Sequence, residues 1–327
     1  MTRSSHFVAL VAAGVLAAAG LLVLIVLVVQ ERSAEATSQG KPGKIAYSAY
    51  DGTNEAIYTI DPGGGSRFKV TDEPGYAHDP AYSPTGNKIA YSGHDGNDSE
   101  IYTVGSSGGE PLEVTDNDTN DFTPSYSPDG NNIAYIGFDG NDLEIYTISV
   151  RGGEPLNVTD NDTDDLYPSY SPSGQTIAYE GYDGNDSEIY TIDVRGGETF
   201  KVTDNDSNDS QPDYAPNGKT IAYVGYPPSS QEYDGTNEAI YTVGVRGGGN
   251  SSKVVDNASE PSYSPNGKKI AYLGDTPANP AIYTIGVSGG GKVKVTDTGA
   301  SDSEPSWGSK QNTTLAIGVA LMALMRL

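Results

Sequence analysis

The residues best suited to chemistry in this chain are carboxylates that recur at fixed spacing. One set follows D-G-N-D-x-E: Asp95, Asp98 and Glu100; Asp139, Asp142 and Glu144; Asp183, Asp186 and Glu188. A second follows D-N-D-[TS]-[ND]-D, at 116–121, 160–165 and 204–209. Acids grouped this way suit two tasks, holding a hard divalent cation and attracting a basic partner. A calcium loop takes ligands from its positions 1, 3 and 5. Those positions make Asp116 and Asp118, then Asp160, Asp162 and Asp164, then Asp204 and Asp206 the candidate Ca2+ ligands. The likeness to an EF-hand stops there. Position 6 is Asp121, Asp165 or Asp209 in place of glycine, and position 12 is Ser127, Ser171 or Ala215 in place of a bidentate glutamate. The plainer role for these residues is to bond their own turns, as Asp and Asn do. The D-G-N-D-x-E acids are the candidate partner-binding face, and no other cofactor is implied.

Other reactive-looking patterns carry less. Gly286 to Gly290 reads G-V-S-G-G and matches G-x-S-x-G, but no helical pattern follows, and His6, His78 and His94 are the only histidines. Gly218, Lys219 and Thr220 mimic the end of a phosphate-binding loop without its upstream glycine. There is no cysteine, which excludes disulfides and thiolate metal sites. No catalytic residue is assigned.

These acids sit in a sentence that the chain repeats. Ile-Ala-Tyr begins at Ile45, Ile89, Ile133, Ile177, Ile221 and Ile270, at intervals of 44, 44, 44, 44 and 49 residues. A period of this size is that of a four-stranded propeller blade. In the third copy the pattern predicts strand A over Pro124–Ser127, B over Ile133–Ile136, C over Glu144–Val150 and D over Pro155–Thr159. Ser-Pro-Asp-Gly, Asp-Gly and Arg-Gly-Gly turns separate them. Apolar groups alternate onto both faces of strand C, with Tyr146, Ile148 and Val150 on one and Ile145 on the other, as a blade sandwiched between neighbours requires. The expected fold is all-β: a six-bladed β-propeller of four-stranded antiparallel blades. The first copy lacks a strand A, and Glu304 to Trp307 supplies one after the sixth copy. Pairing of the two chain ends is therefore expected to close the ring.

Four antiparallel strands put A–B and C–D turns on one rim and B–C and D–A loops on the other. Sorted this way, 15 of the 44 acids fall in B–C loops and 18 in D–A loops. The second rim is thus expected to be strongly acidic, facing a rim with Arg151, Arg195, Arg246, Lys88, Lys219, Lys268 and Lys269. A formal net charge of −25 repels phosphates and argues against nucleic acid. Residues 7–29 are an unbroken apolar run behind Arg3, long enough for a membrane-spanning helix. The expected partition is an anchor or signal at 1–32, a linker at 33–42, the propeller at 43–308 and an apolar tail at 309–327. The propeller is expected outside the cytoplasm, membrane-anchored, or secreted if cleaved after Ala36.

The run P-S-Y-S-P-D-G-x-x-I-A-Y…E-I-Y-T…G-G-E-x-x-x-V-T-D resembles the TolB-type propeller repeat of the WD-repeat-like (PD-repeat) class, over roughly Gly43–Trp307. The resemblance implies a non-catalytic binding platform of the cell envelope. The expected function is a monomeric scaffold that takes a basic protein partner on its acidic B–C/D–A face. Two alternatives stand beside it: a calcium-dependent hydrolase or lactonase using channel carboxylates, and a salt-adapted envelope protein.

Overall fold

Each repeat becomes one twisted sheet because its turns reverse the chain every few residues and its apolar groups need cover on both faces. The computed structural model of the protein describes residues 42–50, 52–72, 75–226, 237–247, 250–274, 280–297 and 301–310. The expected N-terminal anchor, the cleavage site after Ala36, and nearly all of the linker and of the apolar tail lie outside those residues, as do 227–236 between the second and third strands of the fifth repeat. Among the described residues no helix is long and apolar enough to cross a membrane.

Numbered in chain order, the described strands run β1 to β24 and form six four-stranded antiparallel sheets. In the third blade these are β8 (Phe122–Tyr126), β9 (Asn132–Phe138), β10 (Leu143–Ser149) and β11 (Leu156–Asn157). The inner and outer strands differ from expectation at their bounds. β8 starts two residues before Pro124, and β11 is only two residues long. The cause of the second difference is a threonine. The ladder ends at Asn157, and the Thr159 hydroxyl then accepts the Ile145 N–H at 2.9 Å where a further main-chain carbonyl would have been. Thr71, Thr115, Thr203 and Thr296 do the same in four other blades, which gives the recurrent V-T-D a structural meaning.

The first blade draws its strands from both ends of the described chain. β24 (Asp302–Ser309) pairs antiparallel with β1 (Pro42–Tyr50), placing Trp307 opposite Ile45, and β2 (Glu55–Ile60) and β3 (Phe68–Lys69) complete the sheet. Six apolar clusters lie between successive blades. Ile145 packs toward the fourth blade with Ile177 and Tyr179, while Ile148 packs toward the second with Ile101 and Val114. Another cluster joins Ala271 and Ile282 of the sixth blade to Ile45, Tyr47 and Trp307 of the first.

The innermost strands share an irregularity. These are β24, β4 (Ala77–Tyr82), β8, β12 (Leu166–Tyr170), β16 (Asp209–Tyr214) and β20 (Ala258–Tyr263). In each, the ladder slips by a bulge just before a buried proline. The residue preceding that proline has a left-handed backbone: Asp79 (φ 52°), Thr123 (47°), Tyr167 (53°), Gln211 (52°), Glu260 (54°) and Glu304 (55°). Proline disfavours helical conformations in its predecessor, and a β-branched threonine at positive φ is strained, so the surrounding sheets must hold these six residues in place.

Candidate functional site

Two sets of polar side chains emerge, one on the loop rim and one on the inner strands. On the rim, D–A loops are bonded to the first residues of strand C of the same blade. In the third blade, Asn161 N–H donates to Glu144 Oε1 (2.8 Å) and Asn161 Nδ2 to Asp165 Oδ2 (2.7 Å). The triads Glu100–Asn117–Asp121 and Glu188–Asn205–Asp209 repeat this within 0.2 Å. The three glutamates are fully buried, and the three aspartates nearly so. Two carboxyls forced together away from water resist ionising. Burial above all, and then the charge of the neighbouring glutamate, pushes Asp121 and Asp165 up to about 7 and Asp209 up to about 8. Burial raises Glu100, Glu144 and Glu188 as well.

The D-N-D loops therefore bury only the sixth residue of the motif, and the exposed second residue bonds back to it through its side-chain amide. Asp116, Asp118, Asp160, Asp162, Asp164, Asp204 and Asp206 are exposed. Asp164 has a local duty, since its Oδ1 accepts the Leu143 N–H at 3.0 Å, as Asn120 and Asn208 do for Ser99 and Ser187. The D-G-N-D-x-E residues converge instead. Carboxylate oxygens of Asp139, Asp142 and Glu144 lie within 4.8 Å of one another, and so do those of Asp183, Asp186 and Glu188. Asp95, Asp98 and Glu100 do not form such a group. The first aspartate of each triplet also caps its own turn: Asp139 Oδ1 accepts from Asn141 N–H (2.7 Å) and Asp142 N–H (3.1 Å).

The tyrosines belong to the core. Tyr135 and Tyr146 stack at 5.7 Å with 25° between planes, and four other blades have a similar stacked pair. Gly137 leaves room for them, because a Cβ there would lie 3.1 Å from both Asp121 Oδ1 and the Tyr146 ring. The G-V-S-G-G run is a C–D turn closed by Gly289 N–H to Gly286 O at 2.9 Å, with Ser288 exposed.

Sequence reasoning missed the second set. The sequence pattern singles out neither Asp79 nor Glu260, and marks Glu304 only as the start of a strand A; the structure puts all three at the inner bulges. There the side chain of one blade accepts the backbone N–H of the next. Gln211 accepts from Glu260 (2.9 Å), Glu260 from Glu304 (2.5 Å), Glu304 from Asp79 (2.5 Å) and Asp79 from Thr123 (3.3 Å). The Ser48 hydroxyl also donates to Glu304. Burial, followed by mutual repulsion with Asp79, pushes Glu260 up to about 7 and Glu304 well above the usual carboxylate range. Burial opposes the charge of His78, but the Asp79 carboxylate 2.9 Å from its Nδ1 and the nearby Glu304 and Glu55 outweigh it and lift His78 to about 9. His78, Asp79 and Glu304 form a third group of converging ligand atoms. The available signal was a fixed proline preceded by five different residue types across the six copies.

With this geometry in view, comparison with known proteins is informative. The family described as the TolB beta propeller domain matches residues 36–224 and, overlapping, 122–257. No curated protein matches. Among solved structures, TolB from Acinetobacter baumannii is 22% identical with a TM-score of 0.70, covering 81% of this chain and 66% of that one. The chain thus spans just under two thirds of that relative. A putative TolB from Agrobacterium tumefaciens is 24% identical with a TM-score of 0.61, covering 73% of this chain and 90% of that one. An oligogalacturonate lyase in complex with manganese is similar at 15% identity and a TM-score of 0.51, covering 80% and 74%.

Proposed function

Since the chain belongs to the TolB β-propeller domain family, we propose that it is a non-catalytic, extracytoplasmic scaffold that binds a basic protein segment on its B–C/D–A rim. The observation that carries this reading is the rim's construction. Three consecutive blades tie the D–A loop to the start of strand C through the same glutamate–asparagine–aspartate triad, whose carboxyls are buried, and so hold the exposed carboxylates beside it on a fixed base. Asp95, Asp98, Asp139, Asp183 and Asp186 are the contacts, backed by the buried Asp142, Glu100, Glu144 and Glu188. Opposite charge on a preformed surface speeds encounter and fixes partner choice. The β1–β24 pair is read as the clasp that closes the ring, the apolar run at 7–29 as the membrane tether, and the propeller as a monomer.

A second reading, a channel-based hydrolase, draws on one observation: His78, Asp79 and Glu304 converge at the inner strands, and a propeller lyase with manganese shares the fold. The bonding of the ring favours the first reading. Each acid is occupied by a neighbouring backbone N–H, and the uncharged Gln211 does the same work in the fifth blade. Fluorescence anisotropy with a labelled Lys/Arg-rich peptide tests the scaffold. Replacing Asp95, Asp139 and Asp183 by Asn is expected to weaken binding about tenfold and flatten its salt dependence. Glu154→Gln with Glu198→Gln, on the opposite rim, is expected to change little. Equal losses from both sets of changes, or turnover of a polysaccharide that chelation abolishes, would remove it.

A further inference from the structure

The outer strands carry a position that differs between blades in an instructive way. Opposite the paired tyrosine of strand C stands Lys69 in the first blade, Lys201 in the fourth, Lys253 in the fifth and Lys294 in the sixth. In the second blade it is Glu113, which accepts a bond from the Tyr102 hydroxyl. In the third it is Asn157, opposite Tyr146.

In the fourth blade the lysine acts as a built-in cation. Its Nζ lies 2.7 Å from Asp183 Oδ2, 2.6 Å from Asp204 Oδ1 and 4.0 Å from Glu188 Oε1, bridging the B–C and D–A loops. That bond, with two backbone N–H donors, holds Asp183 down to about 2. The third blade has the same carboxylates at Asp139, Asp160 and Glu144, and a further acid, Asp164, where the flanking blades have Asn120 and Asn208. Among the described residues no ion pair reaches its converging triplet. Two buried oxygens there also lack a partner. One is Oδ1 of Asp142, whose residue is only 8% exposed, and the other is Oδ1 of Asn157. An orphaned buried carboxylate oxygen beside two further acids is costly unless a cation completes the site.

We propose that the third blade binds a divalent cation of the calcium type between its B–C and D–A loops, where the fourth blade places the Lys201 ammonium. Asp139, Asp142, Glu144 and Asp160 are the carboxylate ligands and Asn157 the neutral oxygen donor. An all-oxygen ligand set on loops with several anionic members suits calcium, which tolerates irregular geometry, better than magnesium or zinc. The site does not depend on the partner-binding reading.

Calorimetric titration of the full chain with CaCl2, in enough NaCl to screen diffuse attraction, tests this. One equivalent is expected, with a dissociation constant of about 0.1–1 mM, the range of extracellular calcium modules. Asn157→Lys, which copies the fourth blade, is expected to weaken binding at least tenfold while leaving the melting temperature in chelator unchanged. Lys201→Asn is expected to raise the stoichiometry from one to two. Asp142→Asn gives an independent check and is expected to remove binding as well. The proposal is overturned by the absence of saturable binding up to about 10 mM, or by calcium binding that survives both Asn157→Lys and Asp142→Asn. A stoichiometry that stays at one in Lys201→Asn would overturn the equivalence of the two blades on which it stands.

Discussion

At the scale of single residues, the protein buries carboxylic acids as hydrogen-bond acceptors, and this sets its response to pH. Glu260 ionises near 4.5 when unconstrained and near 7 in the fold. The native state therefore binds the proton more tightly than the unfolded chain, and stability must fall as pH rises from about 4.5 to about 7. Asp121, Asp165 and Asp209 add to that slope in the same direction. His78, raised to about 9, contributes stability below its ordinary value that is lost as pH climbs through 9. Asp183, held down to about 2, has its effect only at strongly acid pH and is constant across this window. Glu260→Gln keeps the oxygen that accepts the Glu304 N–H and removes the titration, as Gln211 already does one blade earlier. We expect this variant to be more stable than the parent at pH 8, on the order of 1–2 kcal/mol, and nearly equal to it at pH 5. Thermal melts at the two pH values decide the matter, and an equal shift at both would contradict it.

At the scale of the element, the outer strand is kept short by a side chain. Thr159 accepts from Ile145 N–H and donates to Glu144, so one hydroxyl joins strand C, the end of strand D and the rim triad. Thr159→Val leaves the Ile145 N–H buried without a partner, at a cost of about 1–3 kcal/mol, and Thr159→Ser is expected to recover most of it. Chemical denaturation of the two variants measures the difference, and equal destabilisation would show that the methyl group matters and the hydroxyl does not. The same element explains what the sequence made visible. Ile-Ala-Tyr, Ser-Pro-Asp-Gly and the alternating strand C recur because every blade needs them, so period and pairing could be read directly. The inner bulge could not. Its residues are Asp79, Thr123, Tyr167, Gln211, Glu260 and Glu304, and a reading built on what repeats discards a position that varies this much. The D-N-D loops misled in another way. Acids at alternating positions look alike in a string, but the Asn117 side chain accepts the Thr119 N–H at 2.7 Å and donates to Asp121, so that of the loop's acids only Asp121 is turned inward.

At the scale of the whole molecule, the sheets are linked through faces as well as edges, and the first blade bears both kinds of link. Trp307 is the only tryptophan in the chain, 7% exposed, opposite Ile45 in the β1–β24 pair and inside the core shared with the sixth blade. Separating β24 from β1 would strip that core, bare an unpaired edge on β1 and break the bond from Asp79 N–H to Glu304. No part of this can open at small cost while the remainder stays folded. In a closed ring, Trp307 fluorescence should therefore report the same transition as far-UV circular dichroism, which averages over all the blades. We expect the two midpoints to coincide in thermal and in denaturant unfolding, the signature of one cooperative unit. A fluorescence change that precedes the loss of strand signal would instead mean that the first blade unlatches by itself. The propeller would then behave as a linear array of repeats whose stability is the sum of neighbouring contacts.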